Sequence, residues 1–462
     1  MIPMAIRVVQ WATGGVGKAA IEGVLAHPEL ELVGAWVHSE SKHGKDVGEL
    51  VGLDPIGVSA TTSMDEILAL DADCVVYSPL LPNEDEVVAL LRSGKNVVTP
   101  VGWVYPDLEN CKAILDGCAE GGSTLHGTGI HPGGITERFP LMVSALTAGV
   151  THVRSEEFSD IRTYNAPDVV RHIMGFGVTP EVAMAGPIVD LLAAGFKASV
   201  RMIVTELDFD VDPELETVQE VAVATEPIST PVGVIEPGQV AARKFHWRAL
   251  VAGTPVVTAS VNWFMGEEHF DPAWSFGPLG ERFEIEISGE PDVLLTFKGL
   301  QPDTIEEGLI RNPGIVVTAN HCVSSIPYVV AAEPGIKTYL DLPLLAGRAA
   351  PQFGLGRTKG SSTSSGSTDA LPSLLAPARV LAAGSRWAWP RPERAWWSAR
   401  APRPIWTTSS RVWRRPEVEL LPSSRTYSWT MNGAGSSILR QSNSAVSTCS
   451  STTLAVRGHE LR

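Results

Sequence analysis

Over the first 130 residues, buried runs and glycine turns alternate with stretches of helical spacing. Arg7-Val8-Val9-Gln10-Trp11 reads as a strand covered on both faces, Thr13-Gly14-Gly15-Val16-Gly17 as a turn, and Lys18-Ala19-Ala20-Ile21 as the opening of a helix over 18–26. Strands over 30–37, 74–77, 96–99 and 124–127 follow, separated by helices over 63–70, 84–93 and 107–121. Short apolar strands alternating with helices specify a parallel sheet held between two helical layers. The predicted fold class is therefore α/β, with a doubly wound, Rossmann-type domain over 1–135.

Beyond about residue 150 the strands lengthen. Strands over 152–158, 200–209, 218–224, 241–251, 254–264, 282–288 and 293–298 are predicted, with helices over 166–175 and 180–194 between the first two. Phe245, Trp247 and Ala249 alternate with His246, Arg248 and Leu250, the pattern of a mainly antiparallel sheet with one buried face. This gives a second, α+β domain over 136–314 for substrate and oligomerisation. Helical spacing resumes over 304–310 and 315–332, and the segment 315–350 is expected to return and complete the first domain.

The pattern ends near Gly354-Leu355-Gly356. From residue 357 on, serine, arginine and proline abound, seven of the 13 tryptophans fall there, and no period is sustained, so 357–462 is expected to be a disordered, low-complexity tail. That tail carries 15 Lys and Arg against 5 Asp and Glu, which leaves residues 1–356 near −26 although the whole chain is −16. So acidic a body excludes nucleic acid as a partner. No apolar run reaches the roughly 18–20 residues a membrane span needs, and no signal-peptide pattern opens the chain, so a cytoplasmic protein with no membrane partner is expected. The five cysteines are scattered without C-x-x-C spacing, and Glu267-Glu268-His269 lacks H-E-x-x-H spacing, so no metal is expected.

The glycine turn carries the first chemistry. Its spacing matches G-x-G-x-x-G with Ala12 in the first glycine's place. Gly14 lets the backbone approach a dinucleotide pyrophosphate, Gly17 lets the helix pack closely on the strand, and N–H groups of the first helical turn face the anion. Ala12, Thr13, Gly14, Gly15, Val16 and Gly17 are the candidate phosphate-binding residues. An acid at the end of the second strand would favour NAD; His38, Ser39 and Lys42 stand there and favour the 2′-phosphate of NADP, while Glu40 keeps NAD open. Ligands of open parallel sheets lie beyond the strands' carboxyl ends, so Ser78, Pro79, Thr99, Gly102, Gly127, Thr128 and Gly129 are expected along the rest of the cofactor.

Val9-Gln10-Trp11-Ala12-Thr13-Gly14-Gly15-Val16-Gly17, Gly127-Thr128-Gly129-Ile130-His131-Pro132-Gly133 and Met174-Gly175-Phe176-Gly177 together resemble the NAD(P)-dependent amine dehydrogenases typified by 2,4-diaminopentanoate dehydrogenase. That group is similar to the dihydrodipicolinate-reductase-like enzymes, and the resemblance covers about residues 4–350. Dihydrodipicolinate reductase itself carries a His-His pair followed by lysine and an Asp-Ala-Pro-Ser-Gly-Thr stretch, neither of which occurs here.

The resemblance implies hydride transfer to or from a C–N or C=N centre of a small amino or imino acid. The protein must then place the carbon and manage a proton. His131 is the first candidate for the proton, since imidazole titrates near neutrality; a backbone-bonded loop histidine is the alternative. Glu156, Asp160 and Tyr164 form a second group where a cationic amine could dock. Arg162 and Arg171 are candidates for a substrate carboxylate, with His172 beside them. Two other readings stay open: a dihydrodipicolinate-reductase-like reduction in lysine biosynthesis, and a sensor of NADP(H) without turnover. A homodimer or homotetramer formed through the large sheet is expected.

Overall fold

The computed structural model describes residues 5–164, 166–277, 280–350, 353, 425–431 and 437–443. The chain divides into two units, 1–359 and 360–462. In the first, β1 (Ile6–Trp11), α1 (Gly15–Ala26), β2 (Leu30–Trp36), α2 (Val47–Val51), β3 (Ala60–Thr61), α3 (Met64–Ala69), β4 (Cys74–Tyr77), α4 (Glu84–Arg92), β5 (Asn96–Thr99), α5 (Lys112–Gly121) and β6 (Thr124–Gly127) follow in order. These strands form a parallel sheet of order β6-β5-β4-β1-β2-β3. Successive side chains point to opposite faces: Val8 packs with Ala20, Ile21 and Val24 of α1, whereas Val9 and Trp11 pack with Val87, Leu90 and Leu91 of α4. Burial on both faces is why these strands read as unbroken apolar runs. The strand order reverses beside β1, which opens a crevice at the end of that strand.

The second half contains α6 (Phe139–Ser144), β7 (Ala148–Asp160), α7 (Pro180–Met184), α8 (Ile188–Glu206), β8 (Glu216–Ala224), the hairpin β9 (Ile228–Thr230) and β10 (Gly233–Ile235), then β11 (Val240–Val251), β12 (Thr254–Phe264), β13 (Phe270–Asp271), β14 (Arg282–Glu290) and β15 (Val293–Phe297). Its sheet runs β13-β8-β11-β12-β7-β14-β15 and is antiparallel except between β12 and β7. Phe245, Trp247 and Ala249 are fully buried, as the alternation predicts, and α8 covers them. Phe196 of α8 stacks on Trp247 with ring centroids 4.4 Å apart; truncating either ring to alanine would cost about 3–5 kcal/mol.

Three expectations fail here. The segment 200–209 is not a strand: it continues α8, because Phe196, Ser199, Val200 and Ile203 recur at helical spacing on one buried face and tertiary packing overrides the β-branched composition. The helix expected over 166–175 shrinks to one π turn, Val169–Ile173, and the one over 180–194 breaks between α7 and α8 at Gly186-Pro187.

Helices α9 (Ile305–Ile310) and α10 (Pro313–Val330) lead back to the first sheet. Buried Ala319, Cys322, Val323 and Ile326 of α10 join the core around α1, and β16 (Gly335–Ile336) pairs in parallel with β6. His126 of β6 bonds the Lys337 carbonyl through Nδ1 at 2.7 Å, fixing this return. In the second unit, β17 (Arg425–Met431) and β18 (Ser437–Asn443) pair antiparallel, whereas no regular structure is predicted there. Thr426, Ser428 and Thr430 alternate with Tyr427, Trp429 and Met431 ahead of Asn432-Gly433, a local hairpin signal that the composition of the tail obscures. For the rest of 357–462 the expected disorder lies outside the described residues.

Candidate active site

Strand β1 delivers its chain end into a turn that only small residues can make. Ala12 adopts φ +69°, the left-handed conformation for which the motif ordinarily supplies glycine. Gln10, buried within β1, holds this turn: its Nε2 donates to the carbonyls of Trp11 and Ala12, each at 3.0 Å, and to Ser78 Oγ at 2.8 Å. A Cβ on Gly17 would lie 2.1 Å from the Ala12 carbonyl oxygen, whereas one on Gly14 would meet nothing within 4 Å. Gly17 thus closes the turn and Gly14 opens it to a ligand. Gly14 caps α1 without a side-chain bond, which leaves the first-turn N–H groups of Gly15, Val16 and Gly17 free for an anion.

At the adjacent end of β2, Lys42 Nζ donates to Thr13 Oγ1 at 3.0 Å, so the lysine leans over the phosphate turn. Partial burial, with Lys18 nearby, lowers its pKa. Ser39 Oγ bonds Ser41 Oγ at 2.8 Å, and exposed His38 stands edge-on to Trp36. Lys42 thus reaches the glycine turn from this loop, and Glu40 opens the same short 3-10 turn.

Further along the crevice, Ser78 Oγ donates to Trp11 O, and Thr99 Oγ1 accepts from Val101 N. Gly102 has φ +137°, and its carbonyl would lie 2.2 Å from a Cβ on Gly127, so the loops after β5 and β6 touch backbone to backbone. Thr128 and Gly129 make polar contacts within the fold. Thr128 Oγ1 bonds Tyr339 Oη at 2.6 Å and His321 Nδ1 at 3.1 Å, while His321 Nδ1 also bonds the Gly129 carbonyl at 2.6 Å. These polar groups are spent in tying the loop to α10 and the segment after it. Glu137 adds a second tie: fully buried, it accepts from Gly133 N and Ser199 Oγ, and burial pushes its pKa up to about 8.

A cleft of about 810 Å³ extends from Val16 and Pro100–Gly102 on the first sheet to Glu157, Trp263 and Phe283 on the second. His131 and Glu157 meet in it. The Ser260 carbonyl can only accept, so His131 Nε2 carries the proton, 3.2 Å away, and Nδ1 accepts from Thr136 Oγ1 at 3.1 Å. Burial lowers the imidazole pKa to about 4. Both ring nitrogens are thus engaged within the protein, which leaves His131 no open position toward the cleft. Glu157 has what His131 lacks. Its Oε1 accepts from Ser159 Oγ at 2.7 Å and Trp263 Nε1 at 3.1 Å, while Oε2 sits 3.8 Å from His131 Nε2 at the cleft wall. The side chain keeps 14% exposure, and burial raises its pKa above the ordinary carboxylate value.

The remaining expected site residues scatter. Glu156 lies on the opposite face of β7, paired with Arg154 and accepting from Asn262 Nδ2 at 2.9 Å, because strand neighbours point to opposite faces. Asp160 and Tyr164 do line the cleft, but Asp160 holds the Arg162 guanidinium through both oxygens. Arg162 faces a second, polar cavity of about 870 Å³ that shares Asp160 and Gln301 with the cleft and none of the glycine-turn residues. Arg171 donates to the Val232 carbonyl at 2.9 Å, and His172 is exposed; neither lines the cleft. Three expected substrate residues, Arg162, Arg171 and His172, are thus absent from the lining of the cleft. Glu157 and Gln10 are what the sequence reading passes over. A polar residue inside an apolar strand signals Gln10, whereas nothing local separates Glu157 from its neighbour.

A dinucleotide crevice that opens onto a cleft walled by a second, mixed sheet defines a nicotinamide-dependent dehydrogenase. Residues 6–98 match the family described as dihydrodipicolinate reductase, N-terminus, and residues 137–350 the 2,4-diaminopentanoate dehydrogenase C-terminal domain. An amine dehydrogenase of Streptomyces virginiae is 32% identical over 362 residues, covering 73% of this chain and 96% of that protein. The 2,4-diaminopentanoate dehydrogenase of Acetoanaerobium sticklandii is 24% identical over 356 residues, covering 73% and 94%. The solved structure of an amine dehydrogenase from Mycobacterium smegmatis has the same fold, with a TM-score of 0.61 at 21% identity over 75% of this chain and 98% of the other. The chain belongs to the amine dehydrogenase family of dihydrodipicolinate-reductase-like enzymes. Likeness to a 4-hydroxy-tetrahydrodipicolinate reductase of Synechocystis is confined to 63 residues, 23% of that protein.

Proposed function

We propose that this enzyme interconverts an amine with its carbonyl counterpart, using NADP in preference to NAD. In the oxidative direction, R₂CH–NH₃⁺, NADP⁺ and water give R₂C=O, NADPH, NH₄⁺ and H⁺. The observation that carries this reading is Glu157: a nearly buried carboxylate with one oxygen fixed by Ser159 and Trp263 and the other left at the cleft wall. It pairs with the substrate ammonium and takes its proton, giving the free amine from which the carbon can be oxidised.

The cradle fits the coenzyme: an uncapped helix start, a Gly14 with open space above it and Lys42 over the turn. The N–H groups of Gly15 to Gly17 would hold the pyrophosphate, Ser39 and Lys42 the 2′-phosphate, and Val16 with Pro100 to Gly102 would flank the remainder. A nicotinamide bound there supplies hydride exchange with the substrate carbon.

Deuterium at C4 of the reduced nicotinamide should appear on the product carbon when ketones are offered with ammonium; absence of transfer to any ketone or imine of a broad panel would overturn the activity. The coenzyme preference has its own test. Lys42→Ala should lower the NADP-to-NAD ratio of kcat/KM by about 10- to 100-fold, the value of one charge-assisted phosphate contact. An unchanged ratio would remove Lys42 from the 2′-phosphate site.

A further inference from the structure

We infer that Gln301 is a positioning residue for the Glu157 base: its side-chain amide aims the Ser159 hydroxyl, which in turn holds Glu157 in its ionised form. The inference rests on the role given to Glu157 above. Gln301 belongs to the stretch between β15 and α9, 142 residues from Ser159, and it lines both the cleft and the polar cavity. Its Nε2 donates to Ser159 Oγ at 2.7 Å, and Ser159 Oγ donates to Glu157 Oε1 at 2.7 Å. A serine hydroxyl has one proton to give. Because the Gln301 amide supplies a hydrogen from behind, that proton is left for the carboxylate. Ser159 is only 7% exposed, and in such surroundings successive hydrogen bonds polarise and strengthen one another.

Burial opposes the charge that amine oxidation requires on Glu157 and raises its pKa, while the bonds from Ser159 and Trp263 act the other way. The two donors differ in how they are held. The Trp263 indole is fixed by its place in β12, whereas the Ser159 hydroxyl turns freely unless a second partner fixes it. Charged neighbours do not take over this work. His131, from the loop after β6, is held neutral by burial. Asp160 N donates to Glu281 Oε2 at 2.6 Å, and burial, with the Asp160 and Glu157 carboxylates adding to it, raises the pKa of Glu281 to about 7. Asp190 of α8, Tyr105 and Tyr164 also line the cleft, and none of them brings positive charge. Arg162 is taken by both oxygens of Asp160, and Lys298 lines the polar cavity and not the cleft. Acids surround Glu157, so neutral donors must keep it ionised.

The test follows the acid limb of amine oxidation in the full chain with NADP⁺. Ser159→Ala removes the bond to Glu157, so the limb should move up by about one pH unit, the value of one hydrogen bond to a charged group. Gln301→Leu should move it up by about half a pH unit, since the hydroxyl is no longer aimed. Losing a bond to the charged form raises the pKa, and oxidation needs that form, so both shifts run upward. If Gln301 acts through Ser159, the double variant should shift no further than Ser159→Ala alone. Ser159→Thr keeps the hydroxyl and should leave the limb in place. A limb unmoved in Gln301→Leu, or shifts that add in the double variant, overturns the inference and leaves Glu157 as the base. Should Glu157→Gln itself retain the limb, the base assignment fails and the chain is read directly. The infrared carboxyl band missing from Glu157→Gln is then titrated in the wild type and in Gln301→Leu. A higher midpoint in Gln301→Leu supports the positioning role without the activity; an unchanged or lower one overturns it.

Discussion

Gly17→Ala should weaken binding of NADP⁺ and NAD⁺ by about 100-fold or more. The added methyl would sit 2.1 Å from the Ala12 carbonyl oxygen and 3.1 Å from Gln10 Nε2. Neither neighbour can give way. Ala12 is already held at φ +69°, a strain of roughly 1 kcal/mol for a residue with a side chain. Its carbonyl is pinned by Gln10, which is pinned in turn to Trp11 and Ser78. The first turn of α1 must therefore back away from β1, carrying the N–H groups of Gly15 and Val16 off the pyrophosphate, and a loss of about 2–3 kcal/mol corresponds to the expected factor. Gly14→Ala provides the contrast, because its methyl meets no protein atom within 4 Å and would meet only a phosphate held at the turn. It should weaken binding while leaving Tm unchanged, whereas Gly17→Ala should lower Tm as well. Titration calorimetry and thermal unfolding read both; nucleotide affinity within threefold of the wild type in Gly17→Ala would mean that the pyrophosphate lies elsewhere.

That turn was open to reading from the chain because everything it needs is local: an apolar strand, three small residues and a helix start within a dozen positions. The alternation of Phe245, Trp247 and Ala249 was legible for the same reason, since a half-exposed strand writes its burial at period two. Legibility ends where partners are distant or where one residue of register decides. Thr128 meets His321 and Tyr339 across 193 and 211 residues, so its hydroxyl looks available in sequence and is consumed in the fold. Arg162 is taken by Asp160 only two residues away, yet the bidentate contact depends on a 3-10 turn that composition does not announce. The segment 200–209 has strand-like residues, but the helix that starts at Ile188 carries through them to Glu206 because Val200 and Ile203 find the sheet on its buried face.

Glu156 and Glu157 are the sharpest case, and exchanging each for glutamine should separate them. Both are acids on β7, but Glu156 closes an ion pair with Arg154 on the far face whereas Glu157 fronts the cleft. Glu157→Gln is isosteric, and its side-chain oxygen can still accept from Ser159 and Trp263, so the fold and coenzyme affinity should persist. What disappears is the base. Oxidation of the amine should slow by about 10²-fold or more in kcat, the ordinary worth of a positioned proton acceptor. The pH profile adds a readout that a structural role would not move. Burial raises the Glu157 pKa, so the ionised form needed for oxidation is present above that raised value, and the wild-type rate falls as pH drops through it. Reductive amination needs the protonated form and declines in the opposite sense, as pH rises through the same value. Both limbs should vanish in Glu157→Gln and survive in Glu156→Gln, whose kcat should stay within about threefold of the wild type because Glu156 lies on the face of β7 turned away from the cleft. Retention of either the rate or the limb in Glu157→Gln would transfer the proton to another group in the cleft, where Tyr105, Asp160, Tyr164 and Asp190 are among the lining residues.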